Sequence, residues 1–491
     1  MGSAPAALLA GVAHTFSFAP FELWWLELLA LAMLAHATAC AGVGQAARRG
    51  WLFAVGWLVS GLWWLYISMH TYGGMAPWLA ALAVLVLAAA LALYYAGAMA
   101  LYAQLRGKRP FANALLWAAC WLLAELARGT LFTGFPWIAS GYAHTVGPLA
   151  ALAPWVGIYG VCAVSAWVAF TLATWSGPIP SRAAIVLSVW ALGIVALPHM
   201  LPSEFTRPAG SLTVSLLQPN VAQELKFDPT RIEGNLSRMA SQISSARGDL
   251  VVTPESVIPL TRVEVNDRDW ASLREAFQHR GRGLLIGMFL GNDNDGYVNS
   301  LIGLSSDPQA VDYHYGKRHL LPFGEFVPPG FRWFVDLLDI PLGDQAAGKN
   351  TAIFNLGGQR LQPLICYEDL FGEDFANSVT GARSATILVN VSNLAWFGQW
   401  LVQDQHLQFS QMRALEFQRP VIRSTNTGAT AVVNHHGQVA ERLPALTRGT
   451  LEASVQGRSG DTPYARWLAA TGLWPLALLA LLLLLVLRRR D

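Results

Sequence analysis

Three short stretches carry side chains that together can do acyl chemistry. In LQPLICYEDL (361–370) an apolar run ends in Cys366, and Tyr367, Glu368 and Asp369 follow at once. Such a run reads as a buried strand that stops at its polar tail, leaving a thiol on rigid backbone at the rim of a core. Taken alone, Cys366 reads more simply as a small core residue, because free cysteine is among the most buried types. Two other stretches change the balance. VVTPES places Glu255 at the end of the Val251–Val252 run, and YGKRHLLPFGEFVP carries Lys317 and Glu325. A carboxylate, an ammonium and a thiol, each at a strand edge, can supply a base, an electrostatic stabiliser and a nucleophile. The carboxylate takes the thiol proton. The ammonium lowers the thiol pKa and offsets charge developing on a carbonyl oxygen. Glu325 and Glu368 can hold Lys317 in place or assist the base.

Rival chemistries are weaker. His319, His406, His435 and His436 are available as bases for a thiol, yet none has a recognisable context. No Cys or His spacing resembles a metal-ligand set, and no Gly-rich phosphate loop is present. A formal net charge of +2 does not argue for nucleic acid, and four cysteines do not make a disulfide framework. Cys40, Cys120 and Cys162 fall in apolar segments, so Cys366 has no evident partner in the polar part.

The elements that must position these residues lie between Pro202 and Arg466. Strand-like runs are Leu212–Leu217, Leu250–Val252, Gly283–Met288, Ser300–Leu304, Leu361–Ile365, Thr386–Val391, Val421–Arg423, Ala429–Val433 and Thr450–Val455. Helix-like runs are Arg231–Ala246, Trp270–Gln278, Phe371–Thr380 and Gln403–Gln418. The last has Leu407, Met412 and Leu415 on a mostly polar helix, a half-buried pattern. The alternation predicts sheet layers with helices outside. Phe331–Ile340, reading FRWFVDLLDI, is too apolar for an ordinary surface loop. It reads either as a core helix or as a flap over the site, with Trp333 and Phe334 as lipid anchors.

The rest of the chain is of another kind. Charged residues are only 13% and hydrophobic residues 54%, with mean hydropathy +0.37. Soluble domains average about a quarter charged, so this composition points to a membrane. Apolar segments run at Pro5–Phe18, Phe21–Val43, Trp51–Ser68, Met75–Leu101, Phe111–Leu126, Leu149–Trp175 and Ala183–Leu201, and a final one at Trp467–Leu487. The expected plan is a membrane domain of about seven helices over residues 1–202, a polar domain over 203–466, and a last helix with a basic tail over 467–491. Met1–Ser3 carries no basic residue, which argues against a cleaved signal peptide. Arg48–Arg49, Arg106–Arg109, Arg182 and Arg488–Arg490 fall on one side if the N-terminus is inside. The polar domain then lies outside, where an unpaired thiol is unusual. Glu125 and Arg128 are one helical turn apart and can pair, as a structural pair or as a functional site. The loops Thr71–Trp78 and Leu131–Tyr142 are rich in Gly, Pro and aromatics, read either as interfacial anchors or as a lipid-entry surface.

Here a resemblance becomes specific. PES, YGKRHLLPFGEFVP, ICYED, NVSNLAWFG and RALEFQRPVIRSTNTG, in that order, resemble the nitrilase (carbon-nitrogen hydrolase) superfamily with its Glu-Lys-Cys triad. The membrane segments, with Gly73–Met75 and Thr133–Trp137, narrow this to its membrane branch, the apolipoprotein N-acyltransferases. The resemblance implies a multi-pass α-helical membrane domain joined to an α/β, nitrilase-like αββα sandwich. It implies Glu255 as general base, Lys317 as electrostatic stabiliser and Cys366 as nucleophile. Glu325, Glu368, Tyr367 and Asn299 match supporting positions, and Trp333, Phe334, Trp396 and Phe227 are substrate-binding candidates. The family often has Asp where this chain has Leu394 and Trp where it has Phe227; these departures bear on the lip of the site and leave the triad intact.

The implied reaction is a two-step, ping-pong transfer with no metal or soluble cofactor. Cys366 takes an acyl chain from a phospholipid, typically phosphatidylethanolamine, as a thioester. The α-amino group of a diacylglyceryl-modified lipoprotein cysteine then receives it. The implied location is a bacterial inner membrane, with the catalytic domain periplasmic and both termini cytoplasmic. A membrane-anchored, nitrilase-like amidase using water as acceptor is the alternative, and a non-catalytic lipid-handling module a more distant one. Seven segments before the domain are more than an anchored amidase needs.

Overall fold

The computed structural model describes residues 4–173, 202–226, 229–278, 282–292, 296–305, 312–328, 344–349 and 352–488, with single positions between these stretches. The expected segment Ala183–Leu201 and the residues Phe227, Trp333 and Phe334 lie largely or wholly outside the described residues. The chain divides into two compact units, Met1–Glu204 with Ala470–Asp491, and Phe205–Ala469.

The first unit is helical: Ala4–Thr15, Trp24–Thr38, Val43–Leu62, Pro77–Leu105, Pro110–Thr130, Ala153–Ala173 and Trp474–Leu487. Among the described residues three helices are long and apolar enough to cross a membrane, or up to five if each bent pair is one span. The helix Val43–Leu62 begins earlier than the apolar run at Trp51, so Arg48 and Arg49 lie on a helix and not in a loop. Gln45, Ala46, Ala47 and the two arginines are good helix formers, and that propensity carries the helix past its apolar stretch. Arg49 donates to the Ala37 carbonyl, and Arg106 Nη1 donates to the Thr38 carbonyl at 2.9 Å. Two cations thus satisfy orphan carbonyls at the C-terminus of Trp24–Thr38. The expected final segment is divided into Pro463–Thr471 and Trp474–Leu487, with Gly472 at φ +59° between them. A residue in that left-handed conformation ends a helix.

The helices enclose an ion pair whose groups are densely bonded. Arg128 Nη2 meets Glu125 Oε2 at 2.8 Å, with both side chains fully enclosed. Arg128 also donates to the Tyr95 hydroxyl at 2.9 Å and to the carbonyls of Phe135 at 2.8 Å and Trp137 at 2.9 Å. Glu125 Oε1 accepts the Ser140 N–H at 3.0 Å. The pair therefore ties the helix Pro110–Thr130 to the irregular stretch that follows, whose Phe132 is 89% exposed. The structural reading of the pair accounts for every one of these bonds.

The second unit holds two six-stranded sheets. The first runs β12-β1-β2-β3-β4-β5 and the second β11-β10-β9-β8-β7-β6. The strands are β1 Arg207–Gln218, β2 Leu250–Val252, β3 Gly283–Asn292, β4 Gly296–Leu304, β5 Tyr313–Gly316, β6 Phe354–Leu356, β7 Gln359–Ile365, β8 Ile387–Ser392, β9 Val421–Thr425, β10 Ala431–Val433, β11 Val439–Arg442 and β12 Gly449–Ser459. Parallel pairs (β1 with β2, β2 with β3, β7 with β8, β8 with β9) form the centre of each sheet, and antiparallel strands flank them. Parallel strands are buried on both faces, which is why the central runs are almost wholly apolar.

Side-chain alternation sorts these residues into layers. Leu212, Val214, Leu216, Leu250, Val252 and Leu285 face Leu361, Ile365, Val389, Val391 and Ile422 in the core between the sheets. Val251, Leu284 and Ile286 point the other way, onto Met239, Ile243, Trp270 and Phe277 of the helices Pro229–Ser245 and Asp267–Gln278. Helix Val402–Phe417 packs against β9 and β10 of the second sheet. The order is helix, sheet, sheet, helix.

One expectation fails here. The polar helix is not half-buried: Gln405, His406, Gln408, Phe409 and Ser410 are fully enclosed, and Asp404 and Leu415 are the partly exposed ones. Its polar face is satisfied by buried polar partners, so an apolar pattern alone could not place it. In the helical unit, Arg128→Met leaves the Glu125 carboxylate enclosed without its cation. Loss of one partner of a buried pair costs about 3–5 kcal/mol, so the thermal midpoint in detergent should fall by several degrees or more. A midpoint equal to wild type would remove the pair from the list of structural supports.

Candidate active site

Glu255, Lys317 and Cys366 leave three different strands at one edge of the sandwich. Glu255 follows β2 through Thr253, whose N–H donates to the Leu285 carbonyl at 2.9 Å and whose Oγ1 accepts the Gly287 N–H at 3.0 Å. The loop then passes directly over Gly287. A Cβ there would lie 2.3 Å from the Pro254 carbonyl oxygen and 2.7 Å from Ser256 N, so only glycine permits this approach. The Glu255 carboxylate is fixed at both oxygens. Oε1 accepts from Asn299 Nδ2 at 2.7 Å, and Oε2 accepts the backbone N–H of Asn393 at 2.8 Å.

Lys317 is the first residue after β5, and its N–H donates to the Asn299 carbonyl at 2.8 Å. Its side chain is 1% exposed, with Nζ 2.6 Å from Glu325 Oε1 and 3.5 Å from Glu255 Oε1. Burial works against the charged amine, but the Glu325 and Glu255 carboxylates outweigh it and hold the lysine pKa above its ordinary value. Glu325 is presented by a turn of its own. Its N–H donates to the Leu321 carbonyl at 2.9 Å, and its Oε2 accepts the Leu321 N–H at 2.8 Å.

Cys366 ends β7 and opens the 3-10 turn Cys366–Leu370. Its φ of +51° is left-handed, a conformation that costs a non-glycine residue about 1–3 kcal/mol. Neighbouring bonds hold the turn. Glu368 folds back to accept the Ile365 N–H at 2.7 Å and the Tyr315 hydroxyl at 2.8 Å on Oε2, and the Arg318 N–H at 2.8 Å on Oε1. Asn390 Nδ2 reaches the Cys366 carbonyl at 3.3 Å. Glu368 therefore links the cysteine turn to the segment that bears Lys317, and does not touch the lysine itself through any of these bonds.

Lys317 lowers the thiol pKa as expected, yet the thiol as a whole lies above its ordinary value. Burial and the Glu255 carboxylate raise it, and the lowering by Lys317 does not compensate. Glu255 Oε1 lies 3.5 Å from the same ammonium.

The remaining expected residues fall as follows. Tyr367 is buried, its ring 5.1 Å from that of Phe371 and 5.7 Å from that of His319, so it packs beneath the turn. Trp396 is 37% exposed in the short turn Leu394–Phe397 that follows β8. His319 Nδ1 meets Asp374 at 2.9 Å, and its ring stacks on Phe371 at 3.5 Å.

Several polar residues at the site escaped the sequence reading. Asn393 and Asn426 join the Glu255 carboxylate to the stretch after β1, since Asn426 Nδ2 donates to Asn393 Oδ1 at 3.0 Å and to the Val221 carbonyl at 2.8 Å. Behind the nucleophile turn, Asp369 Oδ2 accepts from Arg423 Nη1 at 2.9 Å and from the Ser410 hydroxyl, and Arg423 Nη2 lies 2.8 Å from His406 Nδ1. His406, Ser410 and Arg413 fall at intervals of four and three residues, a helical face that was the available signal.

The raised thiol pKa has a measurable consequence. Alkylation of the Cys366 peptide by iodoacetamide, followed by mass spectrometry, should still be rising at pH 10, by about tenfold per unit where thiolate is scarce. A plateau below pH 9 would mean a resting thiolate.

Comparison with known proteins agrees with this architecture. Residues 10–171 match the apolipoprotein N-acyltransferase N-terminal domain, and residues 213–464 match the carbon-nitrogen hydrolase family. An apolipoprotein N-acyltransferase from Verminephrobacter eiseniae is 45% identical over 96% of this chain and 93% of its own length. One from Ralstonia nicotianae is 45% identical over 99% of this chain and 94% of its own. A CN-hydrolase superfamily protein of known structure from Xanthomonas campestris, 18% identical, covers 54% of this chain and 96% of its own with a TM-score of 0.38. With both domain models matched and similarity running nearly end to end, the chain belongs to the apolipoprotein N-acyltransferase family.

Proposed function

We propose that this protein moves an acyl chain from a phospholipid to the α-amino group of a diacylglyceryl-cysteine at the N-terminus of a lipoprotein, through a thioester on Cys366. The observation that carries the chemistry is the enclosed ammonium of Lys317 between Glu325 at 2.6 Å and Glu255 at 3.5 Å, beside a strained cysteine turn. The names of the near-full-length relatives carry the substrate class.

In the first step Glu255 takes the thiol proton as Cys366 Sγ attacks the ester carbonyl carbon. Lys317 faces the negative charge that develops on the carbonyl oxygen. The C–O bond to the glycerol breaks, and the proton on Glu255 passes to the departing oxygen, releasing a lysophospholipid. In the second step the neutral amine attacks the thioester carbon and gives a proton to Glu255. The C–S bond breaks, and the thiolate regains that proton, leaving an amide and the starting enzyme. Glu325 and Asn299 hold Lys317 and Glu255 throughout, and Glu368 holds the turn that presents the thiol. Trp396, half-exposed near the site, and the apolar stretch Phe331–Ile340 with Trp333, Phe334 and the aromatic Phe227 are the segments proposed to meet lipid.

The proposed setting is a bacterial inner membrane with the second unit on the periplasmic side. Arg49 and Arg106 gather at one end of the helix Trp24–Thr38, which supports placing that end in the cytoplasm. An impermeant lysine or thiol reagent should label the 205–469 unit in intact spheroplasts; labelling that needs broken membranes would reverse the orientation.

The chemistry is tested by intact-protein mass spectrometry. Given phosphatidylethanolamine alone, the enzyme should gain one acyl chain on Cys366, removable by neutral hydroxylamine. Cys366→Ala should gain nothing, and Cys366→Ser almost nothing, because a carboxylate generates an alkoxide far less readily than a thiolate. Glu255→Gln should block acylation. Lys317→Met should slow it by a factor of about 100–1000, the usual effect of losing one oxyanion donor. A peptide bearing an N-terminal diacylglyceryl-cysteine should then discharge the thioester to an amide. An enzyme that never carries the chain, or that passes it to water as fast as to the peptide, sinks the proposal.

A further inference from the structure

A second buried lysine stands behind the base. Lys226 closes the four-residue helical turn Gln223–Lys226, and it is 5% exposed. Its Nζ donates to the Ser256 hydroxyl at 2.8 Å and to the carbonyl oxygen of Glu255 at 3.3 Å. Ser256 is itself left-handed, with φ +43°, so the chain reverses sharply where it leaves Glu255. The same helical turn reaches the other side of the base. Gln223 Oε1 accepts from Asn393 Nδ2 at 2.8 Å, and the N–H of Asn393 holds Glu255 Oε2. A cavity of about 20 Å³ lies here, lined by Lys226 and Glu255 with Pro219, Asn235, Met239 and Asn426 among its other walls.

We propose that Lys226 is a positioning residue for the general base, acting through its charge as well as its bonds: its ammonium pins the Glu255–Ser256 reversal and sets a positive charge beside the Glu255 side chain. This rests on the assignment of Glu255 as base. A purely structural side chain does not need a charge here. Methionine would fill nearly the same volume against Met239, Val257 and Pro259 without the cost of enclosing an ammonium. The bonds of Lys226 to the base segment fall on the carbonyl of Glu255 and the hydroxyl of Ser256, so they grip both sides of the reversal that carries the base. Glu255 is an electrostatic partner of Lys226, and among the described residues that line the cavity these two are the titratable ones.

That environment gives the charge a narrow pH range. Burial drives Lys226 from 10.5 down to about 8, against the upward pull of Glu255. The ammonium is therefore present below that value and lost as pH rises through it. Lys317, held above the ordinary lysine range, and Cys366, held protonated, do not titrate there.

The test is the rate of Cys366 acylation by phosphatidylethanolamine in detergent micelles, from pH 6 to 10, with no amine acceptor that could add its own titration. Wild type should lose rate on an alkaline limb near pH 8. Lys226→Arg, which stays charged, should retain acylation and move that limb upward. Lys226→Met should acylate about 10- to 100-fold more slowly, the scale expected when a reacting group is misplaced, and should show no limb. Ser256→Ala, which removes the 2.8 Å bond and little else, should slow the reaction about 3- to 10-fold and keep the limb; it serves if the lysine variants do not fold. Folded Lys226→Met that acylates like wild type overturns the proposal. So does a slowed Lys226→Met with the wild-type limb intact, because that is packing and not charge. A wild-type enzyme that is never acylated instead overturns the assignment of Glu255 itself.

Discussion

The second unit depends on keeping one ammonium charged inside it. Lys317 is almost fully enclosed, and transfer of a lone ammonium out of water costs several kcal/mol even after relaxation. Glu325 at 2.6 Å offsets that cost, and Glu255 at 3.5 Å shares the same field. Two carboxylates this close to one cation impose conditions on everything around them. Each must have its other lone pairs satisfied, or the enclosed charge would be uncompensated. The Leu321 N–H does this for Glu325, and Asn299 with the Asn393 N–H does it for Glu255. The ladder of bonds around the site follows from that requirement.

The turn at Cys366 is organised by a different principle. Cys366 sits where a strand turns into a 3-10 turn, in a backbone conformation that other residues avoid. Strain of about 1–3 kcal/mol persists only where surrounding structure over-determines it. Glu368 provides one clamp, reaching Ile365, Tyr315 and Arg318, and Asn390 provides another at the Cys366 carbonyl. Asp369, next in the turn, is anchored to Arg423 and Ser410 in the buried face of Val402–Phe417. Burial raises the Glu368 and Asp369 pKa values, and their donors oppose it. Clamping the turn on both sides holds the thiol in a fixed position.

The helical unit meets the same electrostatic problem with a different pair of groups. Arg128 and Glu125 are as enclosed as Lys317 and Glu325, and the arginine spends its remaining donors on Tyr95 and on two backbone carbonyls. Guanidinium suits this task because its fork of donors can satisfy several acceptors in one plane. Those bonds hold the irregular chain from Phe132 to Ser140, where backbone would otherwise lie unsatisfied in an apolar setting.

Sequence by itself determined the division into an apolar and a polar part, the central strands, and the residue types that meet at the site. These are properties of composition and of short-range period, and burial on both faces of a parallel strand leaves a continuous apolar run that needs no tertiary knowledge to read. The flanking strands β5, β6 and β11 were not legible, because YHYG, FNL and VAER are too short to show alternation. The polar helix Val402–Phe417 was misjudged for a related reason. Its outward appearance comes from His406, Ser410 and Gln411, whose partners Arg423, Asp369 and Gly437 are distant in the chain. Tertiary structure alone decided which polar groups are paid for by others: that Glu255 is held by the N–H of Asn393, that Glu368 grips the Lys317 segment, and that Lys226 lies beneath the base. A buried polar side chain and an exposed one are the same letter, and only the fold supplies the partner that makes burial tolerable.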